Sequence, residues 1–156
     1  MIQISRILVP TDFSTASDAA LTYARSLARQ FGASINLVHV LEDPFASGAF
    51  LGDGVVTMPL DLRESLERAA REQLASRHAV HASTLPLSST DLLMGSTARL
   101  IVEHAETTGA NLIVMGTHGR GGLGHLLLGS IAEKVVRTAK CPVLTAREPQ
   151  PEPVAA

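Results

Sequence analysis

Residues 111–130 read NLIVMGTHGRGGLGHLLLGS, an apolar run, a glycine-rich connection and the start of a helical pattern. Half of the chain's 12 glycines fall inside this stretch. Two physical causes produce such a density. Either the backbone turns through conformations that other residues avoid, or something approaches it too closely for a Cβ. The segments around the stretch set its context.

Outward from it, short apolar runs alternate with helical stripes. Residues 7–10 (ILVP), 35–40 (INLVHV), 112–115 (LIVM) and 143–146 (VLTA) are nearly unbroken apolar runs, and 90–94 (TDLLM) is a weaker one. Strands of this kind suit a parallel sheet covered on both faces. Between them, Ala16, Ala19, Ala20, Tyr23, Ala24, Leu27, Ala28 and Phe31 recur at three- and four-residue steps, predicting a helix with one apolar face. Ser14 is placed to cap its start and Gly32 to end it. A second helix takes Leu62, Leu66, Ala69, Ala70 and Leu74. A third takes Ala98, Ile101, Val102 and Ala105 and closes at Gly109. The fourth begins at Ser130, where Ser130 and Glu133 spell a capping box, and continues through Val135, Val136 and Ala139.

Strand and helix in alternation predict an α/β layered fold with right-handed crossovers. The expected domain spans residues 1–147. Residues 41–59 form a long connection with three glycines, a candidate flap over a site. The proline-rich residues 148–156 read as a disordered tail. The third-strand region, 81–94, contains Pro86 and several serines and reads poorly as a central strand.

With 156 residues, 46% hydrophobic and 18% charged, the chain has the balance of a single soluble domain. A net charge of −2, 3% aromatic residues and no Trp give no footing for nucleic acid or an anionic membrane. The N-terminus, MIQISRILVPTDFS, reads as neither signal peptide nor spanning helix, so a cytoplasmic location is expected. One cysteine, Cys141, excludes an internal disulfide and a cysteine-based zinc site. Preceding Pro142, it reads as a small packed residue rather than a reactive thiol.

Three readings compete for the glycine segment. The P-loop spelling is absent, because no Gly-Lys-Ser/Thr occurs. A dinucleotide fingerprint occurs by letter at Gly119, Gly121 and Gly124. It lies near the C-terminus rather than in the first strand–helix turn, and the following strand offers no carboxylate. The third reading uses the whole spacing: Gly116, Gly119 and, after nine intervening residues, Gly129-Ser130. Backbone N–H groups in such a turn can curl around an anion, and the first turn of the last helix favours negative charge. One helix terminus contributes only about 0.3–1 kcal/mol. A polyphosphate held by turn and terminus together fits two separated glycine clusters better than a single phosphate does.

This G-x2-G-x9-G-S spacing, with residues 7–14 (ILVPTDFS), 112–122 (LIVMGTHGRGG), 127–137 (LLGSIAEKVVR) and 141–147 (CPVLTAR), resembles the ATP-binding branch of the universal stress protein family. The resemblance runs from Arg6 to about Arg147. It implies a single-domain three-layer sandwich of the adenine nucleotide alpha hydrolase type, with a five-stranded parallel sheet in order 3-2-1-4-5. It also implies a homodimer through the last strand, a nucleotide at the C-terminal edge of the sheet and an unknown downstream protein. In that order the chain reverses between its first and fourth strands, which opens a crevice there.

By resemblance, Pro10, Thr11 and Asp12 contact the nucleoside, Val40 borders the adenine, and Met115, Gly116, His118, Gly119, Arg120, Gly129, Ser130 and Ile131 complete an ATP site. The ligand is ATP, or ADP or AMP, with Mg2+ carried by the phosphates. Each residue also has a plainer role. Asp12 can begin a turn or support the cap at Ser14, Val40 can be strand packing, Ser130 can be a helix cap and Arg120 a solvated loop residue. His118 lies between glycines and takes no base role. His78 and His81 stand three apart, yet no carboxylate or cysteine completes a ligand set, so no metal site is expected. The implied function is a nucleotide-responsive stress-response module. The alternatives are a slow ATPase or autokinase, for which no kinase or Walker-type carboxylate signature is present, and a structural dimer that binds no nucleotide.

Overall fold

The computed structural model describes residues 3–42, 50–51, 54–55, 58–81, 87–117 and 128–147. Its elements run β1 (Arg6–Pro10), α1 (Thr15–Phe31), β2 (Ser34–Leu41), β3 (Phe50–Leu51), β4 (Gly54–Val55), α2 (Leu60–His81), β5 (Leu87–Met94), α3 (Thr97–Thr108), β6 (Leu112–Gly116), α4 (Ser130–Thr138) and β7 (Val143–Ala146). The large sheet has five parallel strands in the order β5-β2-β1-β6-β7. Counting its own strands in chain order, that is the expected 3-2-1-4-5. The antiparallel pair β3 and β4 stands apart from it.

Alternation along the strands divides the core in two. Ile7, Val9, Ile35, Leu37, Leu112 and Val114 pack with Ala20, Leu21, Ala24 and Ala28 of α1 and Leu74 of α2. Leu8, Val38, Val40, Ile113 and Met115 pack with Ile101 and Ala105 of α3 and Ala132 and Val135 of α4. A sheet covered on both faces needs apolar residues at consecutive strand positions, which is why 7–9 and 112–115 read as unbroken runs.

Helix ends follow the sequence signals at three places. The Ser14 hydroxyl accepts from the Ser17 amide at 3.2 Å. Gly32 and Gly109 close α1 and α3 in the left-handed conformation, each with φ of 66°. The capping box expected at Ser130 and Glu133 does not form. Gly129 holds the N-cap position, its carbonyl accepts from the Glu133 amide at 2.8 Å, and no side chain among the described residues caps α4. Ser130 is the first helical residue and is exposed. Glu133 instead faces Arg137 at 3.7 Å, one turn further along.

Parts of the expected apolar faces are solvent-exposed. Tyr23 and Phe31 flank the buried alanines of α1 and are 55% and 48% exposed. Leu62, Leu66 and Val136 are also exposed. Small residues let α1 lie close to the sheet, and the large ones at the margin of its stripe stay outside. The weak strand candidate at 90–94 belongs to a longer strand, β5, and lies at the sheet edge rather than its centre. There the Asn36 side-chain amide donates to Ser89 and Asp91, both at 2.8 Å, so polar residues bind the edge strand to β2. Residues 43–49, 52–53 and 56–57 of the candidate flap, and the tail 148–156, lie outside the described residues. Helix α2 runs far enough to carry both His78 and His81.

Candidate functional site

All five strands of the large sheet point the same way, so Pro10, Leu41, Met94, Gly116 and Ala146 end at one edge. The hydrogen-bonded ladders do not reach that edge equally. β1 and β2 stay in register to Pro10 with Val38, and β6 and β7 to Gly116 with Ala146. Between β1 and β6, partner pairs among the described residues are Ile7 with Leu112 and Leu8 with Ile113, and the ladder goes no further. The two central strands therefore part before they end. This is where the connections leave in opposite directions, β1 toward β2 and β6 toward β7, and such a switch point forms a crevice.

One side of the crevice is the turn after β1. The Thr11 amide donates to the Val38 carbonyl at 2.8 Å, continuing the strand by one residue. The Thr11 hydroxyl is buried, lies 3.0 Å from the Ser17 hydroxyl and accepts from the Phe13 amide at 3.0 Å. Oδ1 of Asp12 accepts from the Ser14 amide at 3.1 Å and from the Ser14 hydroxyl. The turn-building role open to Asp12 is thus filled. A carboxylate has about four lone-pair sites, so one oxygen serving the turn is compatible with ligand contacts. Phe13 takes a φ of 66°, unusual for a side chain of its size.

The other side is the two ends of the glycine segment. Thr117 is buried; its amide donates to the Ala146 carbonyl at 2.9 Å and its carbonyl accepts from the Gly129 amide at 2.7 Å. The segment therefore leaves and returns at one point, beside the start of α4. Gly116 answers half of the question the glycines raise. A Cβ there would lie 3.0 Å from the Ala16 carbonyl carbon, so what approaches this glycine is the start of α1. The close contact is internal packing. Gly129, with φ of −59° and ψ of 150°, holds a conformation open to any residue.

Of the sequence-derived site residues, Pro10, Thr11 and Asp12 line one side and Gly129, Ser130 and Ile131 the other, while Met115 and Gly116 end the strand between them. Val40 and Met115 are buried on the same face of the sheet. His118, Gly119 and Arg120 lie outside the described residues. Sequence reasoning passed over Thr117, His39 and Arg77. Nδ1 of His39 lies 2.6 Å from the Thr11 carbonyl, and the Arg77 guanidinium reaches Phe13 and Asp18. His39 is visible in the sequence only as a polar residue near the end of an apolar strand, and Arg77 carries no local signal. Away from the crevice, burial pushes the Cys141 thiol above its ordinary pKa, in keeping with a packed, unreactive residue. Among the described residues no helix is long and apolar enough to cross a membrane, and no group of three His, Cys, Asp or Glu side chains gathers.

Comparison with known proteins settles the family. The universal stress protein family model matches residues 3–147. The chain belongs to the universal stress protein family. It is 36% identical to universal stress protein MJ0531 of Methanocaldococcus jannaschii over 94% of this chain and 84% of that protein. In structure it is similar to protein MJ0577 of the same organism, with a TM-score of 0.79 and 24% identity over 96% of this chain and 100% of that one. It is also similar to an Archaeoglobus fulgidus universal stress protein in complex with dAMP, with a TM-score of 0.62 and 24% identity over 94% of this chain and 99% of that one. At these identities the two structures are likenesses of fold. As in other folds with this strand order, the crevice of this universal stress protein lies at the switch point of its sheet.

Proposed function

We propose that this universal stress protein binds an adenine nucleotide, ATP with its Mg2+, in the crevice between β1 and β6. The observation that carries the reading is the parting of these strands between the Asp12 turn and an α4 N-terminus that no side chain among the described residues caps. The turn supplies a carboxylate for ribose hydroxyls or the base amine. The amides of Ser130 and Ile131, in the first turn of α4, supply donors and the positive end of a dipole for phosphates. Val40 and Met115 supply apolar surface for the base. His118, Gly119 and Arg120 complete the phosphate cradle, with Arg120 pairing to phosphate in place of a P-loop lysine. Mg2+ arrives on the phosphates and needs no protein cage.

Support comes from the family membership and from the dAMP complex of a protein with the same fold. A second copy pairs along β7, whose Val143, Leu144 and Thr145 are half-buried at an open sheet edge. Nucleotide occupancy then alters the surface offered to a downstream protein, which makes the dimer a stress-response module of the cytoplasm. Native mass spectrometry of gently purified protein tests this reading. The expected spectrum is a dimer carrying one adenine nucleotide per chain, restored by millimolar Mg·ATP after stripping. A spectrum without nucleotide under those conditions contradicts it.

A further inference from the structure

The turn that presents Asp12 is held from outside by two residues that the nucleotide reading does not use, His39 of β2 and Arg77 of α2. Phe13, directly after Asp12, sits at a φ of 66°. A bulky residue rarely takes this conformation, and it persists only where its surroundings over-determine it. They do so on every side of Phe13. Its amide is bound by the Thr11 hydroxyl at 3.0 Å, and its carbonyl accepts from Nη2 of Arg77 at 3.2 Å. The Arg77 guanidinium also lies over its ring, 4.8 Å from the centroid, and the His39 ring packs against it at 4.3 Å and 31°.

Arg77 is itself fixed. Its Nε and Nη2 donate to the two carboxylate oxygens of Asp18 at 2.9 and 3.3 Å, and its Nη1 lies 3.4 Å from Gln73. The Arg77 side chain is 19% exposed and that of Asp18 49%, so the pair fixes the guanidinium by geometry while water screens part of its charge interaction. His39 acts one residue earlier in the turn. The Thr11 carbonyl can only accept, so the His39 ring carries a proton on Nδ1 and donates it across 2.6 Å. Helix α2, strand β2 and the start of α1 thus close on three consecutive residues, Thr11, Asp12 and Phe13.

We propose that His39, Arg77 and Phe13 are positioning residues for the nucleotide site. Clamping by α2 and β2 holds Phe13 in its left-handed conformation and thereby aims the Asp12 carboxylate at the ligand. The inference rests on the nucleotide-binding reading and extends it: the affinity of the crevice depends on a helix that does not line it. Without the clamp the turn has several conformations to lose on binding, and affinity falls by the population of the competent one.

The test is calorimetry of Mg·ATP binding to the full chain and to Arg77→Met, His39→Leu and His39→Asn, with melting temperatures taken in parallel. His39→Asn separates positioning from packing, because its side-chain N–H stands near the place of Nδ1 while the ring is lost. Arg77→Met and His39→Leu are expected to weaken binding about three- to tenfold, as for the loss of a hydrogen bond or two. His39→Asn is expected to recover most of that affinity even though its melting temperature falls with that of His39→Leu. Affinities that follow melting temperature, with Asn no better than Leu, overturn the positioning role. So does unchanged affinity in folded Arg77→Met and His39→Leu. A parent chain that binds no Mg·ATP removes the nucleotide reading itself and this inference with it, a result distinct from the other two.

Discussion

The two sides of the crevice are built by opposite means. After β1, four residues turn the chain with side chains: the Thr11 and Ser14 hydroxyls, the Asp12 carboxylate and the Phe13 ring all bond or pack within the turn or onto its neighbours. After β6, the junction is made by backbone. Thr117 joins both ends of the glycine segment through main-chain bonds, and Gly116 owes its place to having no side chain beside Ala16. A turn made of side chains loses strength by degrees when one is trimmed. A junction made by their absence fails when one is added. The two sides should therefore respond differently to substitution.

The largest effect is expected at Gly116. A Val there meets the Ala16 backbone and Cβ at 3.0–3.1 Å, atoms that move only with α1. Overpacking of this kind costs about 1–3 kcal/mol, and a branched side chain against backbone belongs at the upper end. Urea denaturation of Gly116→Val should show it, and ligand binding should fall as the fold does. Gly129→Val should do the reverse. Its φ and ψ suit Val, so denaturation midpoints should stay near the parent's. The added methyls enter the phosphate cradle, and ATP affinity should drop about 100-fold, the equivalent of ~2.8 kcal/mol. If both glycine variants lose stability alike, the separation between a packing glycine and a ligand glycine is wrong.

On the other side the effects are smaller. Ser14→Ala removes a helix cap and one of the donors to Asp12, and should cost about 1 kcal/mol. That corresponds to a melting temperature lower by roughly 2–4 °C for a chain of this size. Binding should weaken only a few-fold, because the Ser14 amide still holds Oδ1 of Asp12. A control lies away from both sides. Burial raises the Cys141 pKa, so at pH 8 less of it is thiolate than in a free cysteine. Its labelling by a thiol reagent should be slower than that of a free thiol and should quicken as pH rises toward the raised value. Labelling as fast as a free thiol would mean the residue is not packed as described.

The same contrast explains what could be read from the sequence. Periodicity locates β1, β2, β6 and β7 and all four helices, because a doubly covered sheet forces apolar residues at consecutive strand positions. Gly32 and Gly109 are legible because a left-handed helix end nearly demands glycine. β5 is harder to see, since an edge strand joined by Asn36, Ser89 and Asp91 loses the apolar signature. Within the site, the glycine interval marks the backbone-built side, while its internal purpose at Gly116 depends on a helix 100 residues earlier. The side-chain-built side shows only its local part, Thr11 to Ser14. Its outer braces, His39 and Arg77, come from 28 and 64 residues along the chain, and no local pattern announces such contacts. The capping box at Ser130 misleads because Gly129 takes the N-cap position one residue before the letters place it.

The claim that turn and helix terminus grip one nucleotide is tested most directly by titrating Mg·ATP into parent and Gly129→Val protein side by side in a calorimeter. The account predicts a saturable exotherm with one site per chain in the parent, reduced to little or no heat in a variant whose unfolding curve overlays the parent's. Equal heats in the two proteins, or none in the parent at millimolar nucleotide, would contradict it.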